Sequence, residues 1–159
     1  MKQKILALCF LFLSFTVKAQ TYQETVDWLS QHISMDCFSY TCSSGRYSSS
    51  LTSITCDGTI IKARTKYSEG NTTDITIFLS TVTSVNTDWL DQCNDNIIKF
   101  ITHSNDILVN DGRFSKTSHY DYLCIKRNCM DNGGMGKRII TALQHLAYLN
   151  KQKLPKEAF

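Results

Sequence analysis

The 159-residue sequence contains a single proline, Pro155, and has no low-complexity segment, internal repeat or break in composition. It carries no sign of a linker, so we expect residues 20–159 to form one domain. Motifs of common functional sites are also missing. The chain has no Gly-x-Ser-x-Gly elbow, no His-Glu-x-x-His and no EF-hand loop. These absences argue against the best-known serine hydrolases, zinc proteases and calcium sensors.

Long apolar runs are equally scarce, and the main one covers residues 5–17. Lys2 and Lys4 precede it, and Ala19 offers the small residue that a signal peptidase accepts. A membrane-spanning helix needs about 20 apolar residues, so this run is too short to stay in a bilayer. We therefore expect a signal peptide at residues 1–19, cleaved near Gln20. The mature chain is predicted to be secreted or periplasmic, with no transmembrane segment.

Removal of this segment changes the charge of the protein. Three of the 17 basic residues, but none of the 14 acidic ones, lie within residues 1–19. The mature chain then carries fourteen of each, and its formal charge is zero. The small basic excess of the full chain thus gives no argument for nucleic acid or an anionic membrane as a partner, and we expect no nucleic-acid partner.

Cysteine also changes in number, since one of the seven lies in the signal peptide. An even number in an oxidising compartment favours disulfides, and the six candidates are Cys37, Cys42, Cys56, Cys93, Cys124 and Cys129. Cys37 and Cys42 are too far apart to bridge if they share a regular strand. Cys124 and Cys129 can form a local bridge. Buried free thiols are an alternative, and the spacing does not favour a metal site.

Two amphipathic helices are predicted, one near each end of the mature chain. Thr21 and Glu24 form a capping box, and behind it apolar residues recur at helical spacing: Tyr22, Val26, Leu29 and Ile33. The C-terminal helix ends near Asn150, and its apolar stripe consists of Ile139, Ile140, Leu143, Leu146 and Ala147.

Between the helices, threonine, serine, isoleucine, tyrosine and valine dominate and turn signals recur, which is typical of strands. Seven antiparallel strands are predicted, near residues 37–43, 47–56, 59–67, 73–84, 97–103, 106–110 and 117–126. An N-terminal helix, seven strands and a C-terminal capping helix define an α+β fold. This number of elements matches a pleckstrin-homology-like barrel, and the rival arrangement is an open sheet flanked by helices.

Asp57-Gly58 is the clearest hairpin signal, because this dipeptide tolerates the positive φ of a type I′ turn. A two-residue loop at this point pairs Ile54 with Ile61. The apolar face of the hairpin then consists of Ile54, Ile61 and Ala63. The opposite face carries a row of cations, which is either a solvated strand face or an anion-binding face: Lys62, Arg64 and Lys66.

Both ends of the chain resemble those of a group of bacterial proteins. The shared features are the Lys18-Ala19-Gln20 junction, the run Glu24-Thr25-Val26-Asp27-Trp28-Leu29, a threonine-rich middle, and the helix from Arg138 to Leu146. In these features the chain is similar to the small uncharacterised exported proteins of the Bacteroidetes group. The resemblance implies export and a single domain. It implies no activity, cofactor or site residue.

Candidate chemical groups are few. His119 and Asp121 alternate on one predicted strand and would share a face, which is the minimum for a histidine base oriented by a carboxylate. Several tyrosines offer a sugar- or peptide-binding face, although tyrosine is also a routine strand residue: Tyr40, Tyr47, Tyr67, Tyr120 and Tyr122. No residue pattern requires a cofactor.

The sequence favours a non-catalytic exported module that binds a protein, a lipid head group or a glycan. The alternatives are a small hydrolase or thiol enzyme, which would use His119 and Asp121 or a free cysteine, and a structural component of the envelope.

Overall fold

A computed structural model of the chain describes residues 21–38, 41–44, 47–90, 95–131 and 134–153. The predicted signal peptide and the C-terminal residues 154–159 lie outside this part. The described helices are α1 Tyr22–His32, α2 Met35–Phe38, α3 Arg127–Asp131 and α4 Met135–Lys153. The described strands are β1 Thr41–Ser44, β2 Tyr47–Cys56, β3 Ile60–Tyr67, β4 Thr72–Phe78, β5 Val82–Leu90, β6 Asp95–Thr102, β7 Ile107–Asn110, β8 Ser115–Ser118 and β9 Tyr120–Ile125.

The α+β layout is confirmed, with β-structure between an N-terminal and a C-terminal helix. The strands form two antiparallel sheets: six strands in the order β1-β2-β3-β4-β7-β8, and three in the order β5-β6-β9. Neither sheet closes on itself within the described residues. The pleckstrin-homology-like barrel is therefore not confirmed, and nine strands stand in place of the predicted seven.

The extra strands arise at corners, where the chain passes from one sheet to the other. The segments 73–84 and 117–126 are each predicted as one strand. The first contains most of β4 and the start of β5, and the second contains the end of β8 and all of β9. The chain changes sheets within these two segments, around Leu79–Thr81 and at His119, and also between β6 and β7. Strands that bend from one sheet into another build such corners in β-structures. No glycine or proline marks these two corners, so the sequence pattern runs through them without a break.

Helix α1 begins as predicted. The side chain of Thr21 accepts from the N–H of Glu24 at 3.2 Å, and the Glu24 carboxylate accepts from the N–H of Thr21 at 2.8 Å. Leu29 and Ile33 are buried, whereas Tyr22 and Val26 are half-buried against the core. The capping box and the apolar stripe are both confirmed.

The β2–β3 hairpin is also present, with a register that differs from the predicted one by two residues. Ile54 lies opposite Ala63 rather than Ile61. The reason is that Asp57 caps the turn: its carboxylate accepts from the N–H groups of Thr59 and Ile60, at 2.8 and 2.7 Å. A shift of two residues leaves the faces unchanged, since side chains alternate with a period of two. Accordingly, the predicted inward residues are buried and the three cations are exposed.

Helix α4 covers the sheets and packs against α1 and β5. It runs to Lys153, three residues past the predicted end near Asn150, and its predicted stripe is buried in one continuous hydrophobic cluster. Two polar contacts fix its position. The Gln144 amide donates to the carbonyl of Val85 at 2.8 Å, and the buried Asn150 amide donates to the carbonyl of Gly58 at 2.7 Å. The turn of the hairpin is thus held by the last turns of α4.

One disulfide joins two short helices that are distant in sequence. Cys37 lies in α2 rather than in a strand, and its sulfur bonds to that of Cys129 in α3, 92 residues later. The local pairing of Cys129 with Cys124 is therefore wrong. Next to the bridge, the N–H of Lys126 donates to the carbonyl of Cys37 at 2.8 Å. Together they fasten the α1–α2 segment to the chain at the end of β9.

The remaining cysteines occupy different positions. Cys56 is buried in the core and forms no disulfide. Cys124 is half-buried in β9. The backbone of Cys42 belongs to β1, but its side chain is not described, and Cys93 lies outside the described residues.

Candidate functional site

The inner face of the six-stranded sheet changes character along its length. On β3, Ile61 and Ala63 are buried in the core, and the next residues on the same face are Thr65 and Tyr67. Tyr67 is 38% exposed. Because side chains two residues apart share a face, the apolar core surface continues directly into a polar and aromatic surface. That surface is open to solvent.

Two adjoining cavities lie on this open part of the sheet. One has a volume of about 330 Å³ and is lined by Tyr67, Glu69, Asn71, Thr73, Val109, Asp111, Arg113, Phe114 and Lys116. The other is about 120 Å³ and is lined by Ser49, Leu51, Thr65, Tyr67, Ile75, Asp121, Tyr122, Leu123 and Cys124. Tyr67 lines both. We call the combined surface the open-end groove.

Strand β9 of the smaller sheet forms a wall of the groove with Asp121 and Tyr122. The Asp121 carboxylate accepts from the backbone N–H of Tyr122 at 2.7 Å. Burial raises the pKa of Asp121, an effect that this hydrogen bond and the charge of Lys116 oppose. Burial also raises the pKa of Tyr122, and the nearby acidic groups add to the shift. The Tyr122 phenol is therefore protonated at neutral pH and able to donate a hydrogen bond.

The rim of the groove is held by the turn between β7 and β8. The Asp111 carboxylate accepts from the N–H groups of Arg113 and Phe114, at 2.9 and 3.0 Å, and these hydrogen bonds lower its pKa. The turn thereby presents the Phe114 ring, which is 60% exposed, beside the guanidinium of Arg113. Glu69, from the β3–β4 turn, lines the same cavity. The groove thus combines aromatic rings with hydrogen-bonding groups of both charges.

The structure does not assemble the predicted pair of His119 and Asp121. His119 is exposed and lies at the bend between β8 and β9, so the strand alternation on which the prediction depended is interrupted there. Its ring packs edge-on against that of Tyr120, with the ring centroids 4.9 Å apart. Among the described residues, the Asp121 carboxylate accepts a hydrogen bond from the backbone N–H of Tyr122 and not from His119.

The three predicted cations do share the exposed face of β3, but one of them is neutralised. Arg64 forms a two-pronged ion pair with Asp74 on β4, with distances of 2.6 and 2.9 Å. Burial opposes the lowering of the Asp57 pKa, which results from hydrogen bonds of Ile60 and Thr59 and, to a smaller extent, from the charge of Lys62. The acids on this face reduce the positive charge that it would offer to an anion, which favours the interpretation of Lys62, Arg64 and Lys66 as a solvated strand face.

Cys56 does not have the surroundings of a nucleophile. It is buried against the core, and burial raises the pKa of its thiol. A reactive cysteine needs an accessible thiolate. Among the described residues, no group of three or more His, Cys, Asp and Glu side chains is placed to hold a metal ion. The same part of the chain has no helix long and apolar enough to cross a membrane.

Two tyrosines of the groove could be named from the sequence, although the groove itself could not. Tyr67 and Tyr122 belong to the tyrosine set considered there, and they meet at the smaller cavity. Lys116, Phe114 and Glu69 were missed because they lie on three different elements. The only usable signal was the Asn110-Asp111-Gly112 turn, which places exposed side chains at a strand end.

No protein-family model matches the chain, and no curated protein or solved structure is significantly similar to it.

Proposed function

We propose that the protein is a secreted or periplasmic binding module and that the open-end groove binds a glycan. The observation that carries this proposal is the continuation of the sheet's inner face into a groove with exposed aromatic rings. Binding sites are typically concave and mostly apolar, with a few polar groups that fix the orientation of the ligand. The larger cavity, at about 330 Å³, lies within the usual size range of such sites, roughly 300–1,000 Å³.

The chemistry of the lining suits a sugar. A sugar ring has apolar C–H faces and a periphery of hydroxyl groups. Tyr67 and Phe114 supply exposed ring faces, and carboxylates, an amide and a guanidinium supply acceptors and donors. A lipid head group would call for a concentration of cations. The groove instead offers Arg113 and Lys116 together with Glu69 and Asp111.

Export is supported by the disulfide between Cys37 and Cys129, since such bonds persist in oxidising compartments and are rare in the cytosol. The predicted signal peptide gives the same localisation. The direct measurement is the N-terminal sequence of the protein recovered from the periplasm or the medium, which we expect to begin at Gln20. Recovery of an intact Met1 from the cytoplasm would contradict the proposal.

Glycan binding is tested with a printed glycan array, followed by calorimetric titration of the strongest soluble oligosaccharide. We expect Tyr67→Ala to weaken the measured affinity about tenfold, which is about 1.4 kcal/mol. Tyr148→Ala is the matched control, because Tyr148 is 60% exposed on α4 and lines neither groove cavity. Absence of binding across the array, or equal effects of the two substitutions, would refute the assignment.

No catalytic function is proposed. The pair His119 and Asp121 is not assembled, and the Cys56 thiol is buried. The third hypothesis, a structural envelope component, has no specific contact or surface in its favour among the described residues.

A further inference from the structure

A separate cavity of about 420 Å³ lies where α1 and α4 pack together. It is lined by Trp28, Lys137, Arg138, Thr141, Ala142 and His145. None of these residues lines the open-end groove. We call this cavity the helix cleft.

The helix cleft is a defined face of α4 set against one aromatic residue of α1. Lys137, Thr141 and His145 recur every fourth residue, so they lie along one side of the helix. Trp28 closes the cleft from α1, where its ring stacks on that of His32 with the centroids 4.3 Å apart. The packing of α1 on α4 fixes this arrangement, because buried residues of both helices share the core.

Arg138 is held in a distinctive way. Its guanidinium carbon lies 5.0 Å from the centroid of the Trp28 ring. A guanidinium that contacts an aromatic face keeps its N–H groups available in the plane, where they match two oxygen atoms of one anion. Trp28 therefore orients Arg138. Within the described residues, the N–H groups of the Arg138 guanidinium form no hydrogen bond.

Within the described residues, the lining of the helix cleft carries two cations, Lys137 and Arg138. Among the described lining residues none is acidic, and Lys137 and Arg138 take part in no ion pair in the described part of the chain. Two other arginines do form ion pairs: Arg64 pairs with Asp74, and Arg127 lies 3.4 Å from Asp131. Two uncompensated cations on one cavity favour an anionic ligand.

We propose that the helix cleft is a second binding site, for a phosphate or sulfate monoester that carries a compact organic group. Arg138 binds two oxygens of the anion, Lys137 supplies a second positive charge, and Trp28 contacts the organic group. The volume of about 420 Å³ is in the range of small-molecule sites, so it accommodates more than a bare oxyanion. The anion comes either from a soluble ester or from a lipid head group.

The experiment uses tryptophan fluorescence, because the chain has two tryptophans and Trp89 lies on β5, outside the helix cleft. The variant Trp89→Phe therefore reports on Trp28 alone. It is titrated with glucose 6-phosphate, glucose 6-sulfate, glucose and inorganic phosphate. We expect saturable changes with the two esters, at least tenfold weaker binding of inorganic phosphate, and no response to glucose. Binding should weaken as sodium chloride is added.

Two substitutions test the role of the guanidinium in this background. Arg138→Lys keeps the charge but removes the two-pronged geometry, and we expect it to weaken ester binding about tenfold. Lys151→Ala is the control, since Lys151 is exposed on the same helix and outside the helix cleft. Circular dichroism shows whether each variant is folded. A response to glucose equal to that of its phosphate ester would overturn the proposal, as would equal effects of the two substitutions.

A parallel arm identifies the source of the anion. The protein is sedimented with phosphatidylcholine vesicles that do or do not contain phosphatidic acid. Binding to phosphatidic acid that is lost in Arg138→Lys, but not in Lys151→Ala, supports the site with a lipid as its ligand. If neither the soluble esters nor these vesicles bind, the helix cleft is not an anion site. Both results are independent of the groove, because no residue that lines the helix cleft also lines the groove.

Discussion

Replacement of Gly58 by alanine tests how the two helices are fastened to the β2–β3 hairpin. Gly58 has a φ of +91° and is buried. Its carbonyl accepts from the Asn150 amide of α4, at 2.7 Å. An added Cβ would lie less than 3.0 Å from Cγ2 of Val26 and 2.8 Å from the hydroxyl oxygen of Tyr22, both on α1. A methyl group at this position therefore meets α1 directly.

Two costs combine in this variant. A left-handed backbone costs a non-glycine residue roughly 1–2 kcal/mol. Overpacking of a tight contact costs roughly 1–3 kcal/mol. The Tyr22 hydroxyl is the end of a long side chain and can move, but Val26 is β-branched and has few rotamers in a helix, so α1 itself must shift. We expect Gly58→Ala to lower the free energy of unfolding by about 2–5 kcal/mol.

Urea denaturation, followed by circular dichroism, measures this loss. Gly112→Ala is the matched control, because Gly112 has a φ of +81° and an added Cβ would have no neighbour within 4 Å. It isolates the backbone cost. The double variant Gly58→Ala with Val26→Ala should lose less than the sum of the two single variants, since the smaller side chain makes room. Equal losses for the two glycine variants would show that contact with α1 is not what Gly58 provides.

The remaining predictions concern the disulfide, a carboxyl group and an ion pair. Replacement of Cys37 and Cys129 by alanine frees a loop of 92 residues and should lower the free energy of unfolding by about 4–5 kcal/mol in urea denaturation; a loss below about 1 kcal/mol would contradict this. Because burial raises the pKa of Asp121, the folded chain keeps this proton after the unfolded chain has lost it. The protonated Asp121 carboxyl therefore stabilises the fold fully below the ordinary pKa of aspartate, and this contribution disappears as the pH rises through the raised pKa. Asp121→Asn should abolish the resulting decline of the melting temperature with pH, and parallel profiles of the variant and the parent protein would argue against this account. Alanine variants of Arg64 and Asp74 should show weak coupling that disappears at high salt, since both side chains are largely exposed; coupling that survives high salt would indicate a stronger pair.

Local physical signals explain which parts of the fold were predictable. The capping box at Thr21 and Glu24 and the alternation around the β2–β3 hairpin depend on residues within a few positions, and both are confirmed. The corners at Leu79–Thr81 and His119 depend on how two sheets meet, and nothing in the local sequence marks them. The partner of Cys37 depends on the position of α3, 92 residues away, so spacing could not reveal it.

The candidate sites were also predictable only as far as local sequence signals reach. The tyrosines of β3 and β9 were visible in the sequence, but the groove requires the corner at His119, which brings β9 into the smaller sheet. Lys137 and Arg138 are adjacent in the sequence. The contact of Arg138 with Trp28 follows from the packing of α1 on α4, which one sequence does not specify.

The two ends of β3 lie in different surroundings, which separates the proposed ligand groove from the tightly packed core. At its start, near Ile60, α1 and α4 both contact the hairpin turn through Gly58. At its end, Tyr67 lies in the open-end groove, about 23 Å away at ~3.3 Å per residue. Substitutions of exposed groove residues such as Tyr67 therefore remove surface far from the helix contacts. They should change ligand affinity with little loss of stability, whereas substitutions near Gly58 should do the reverse.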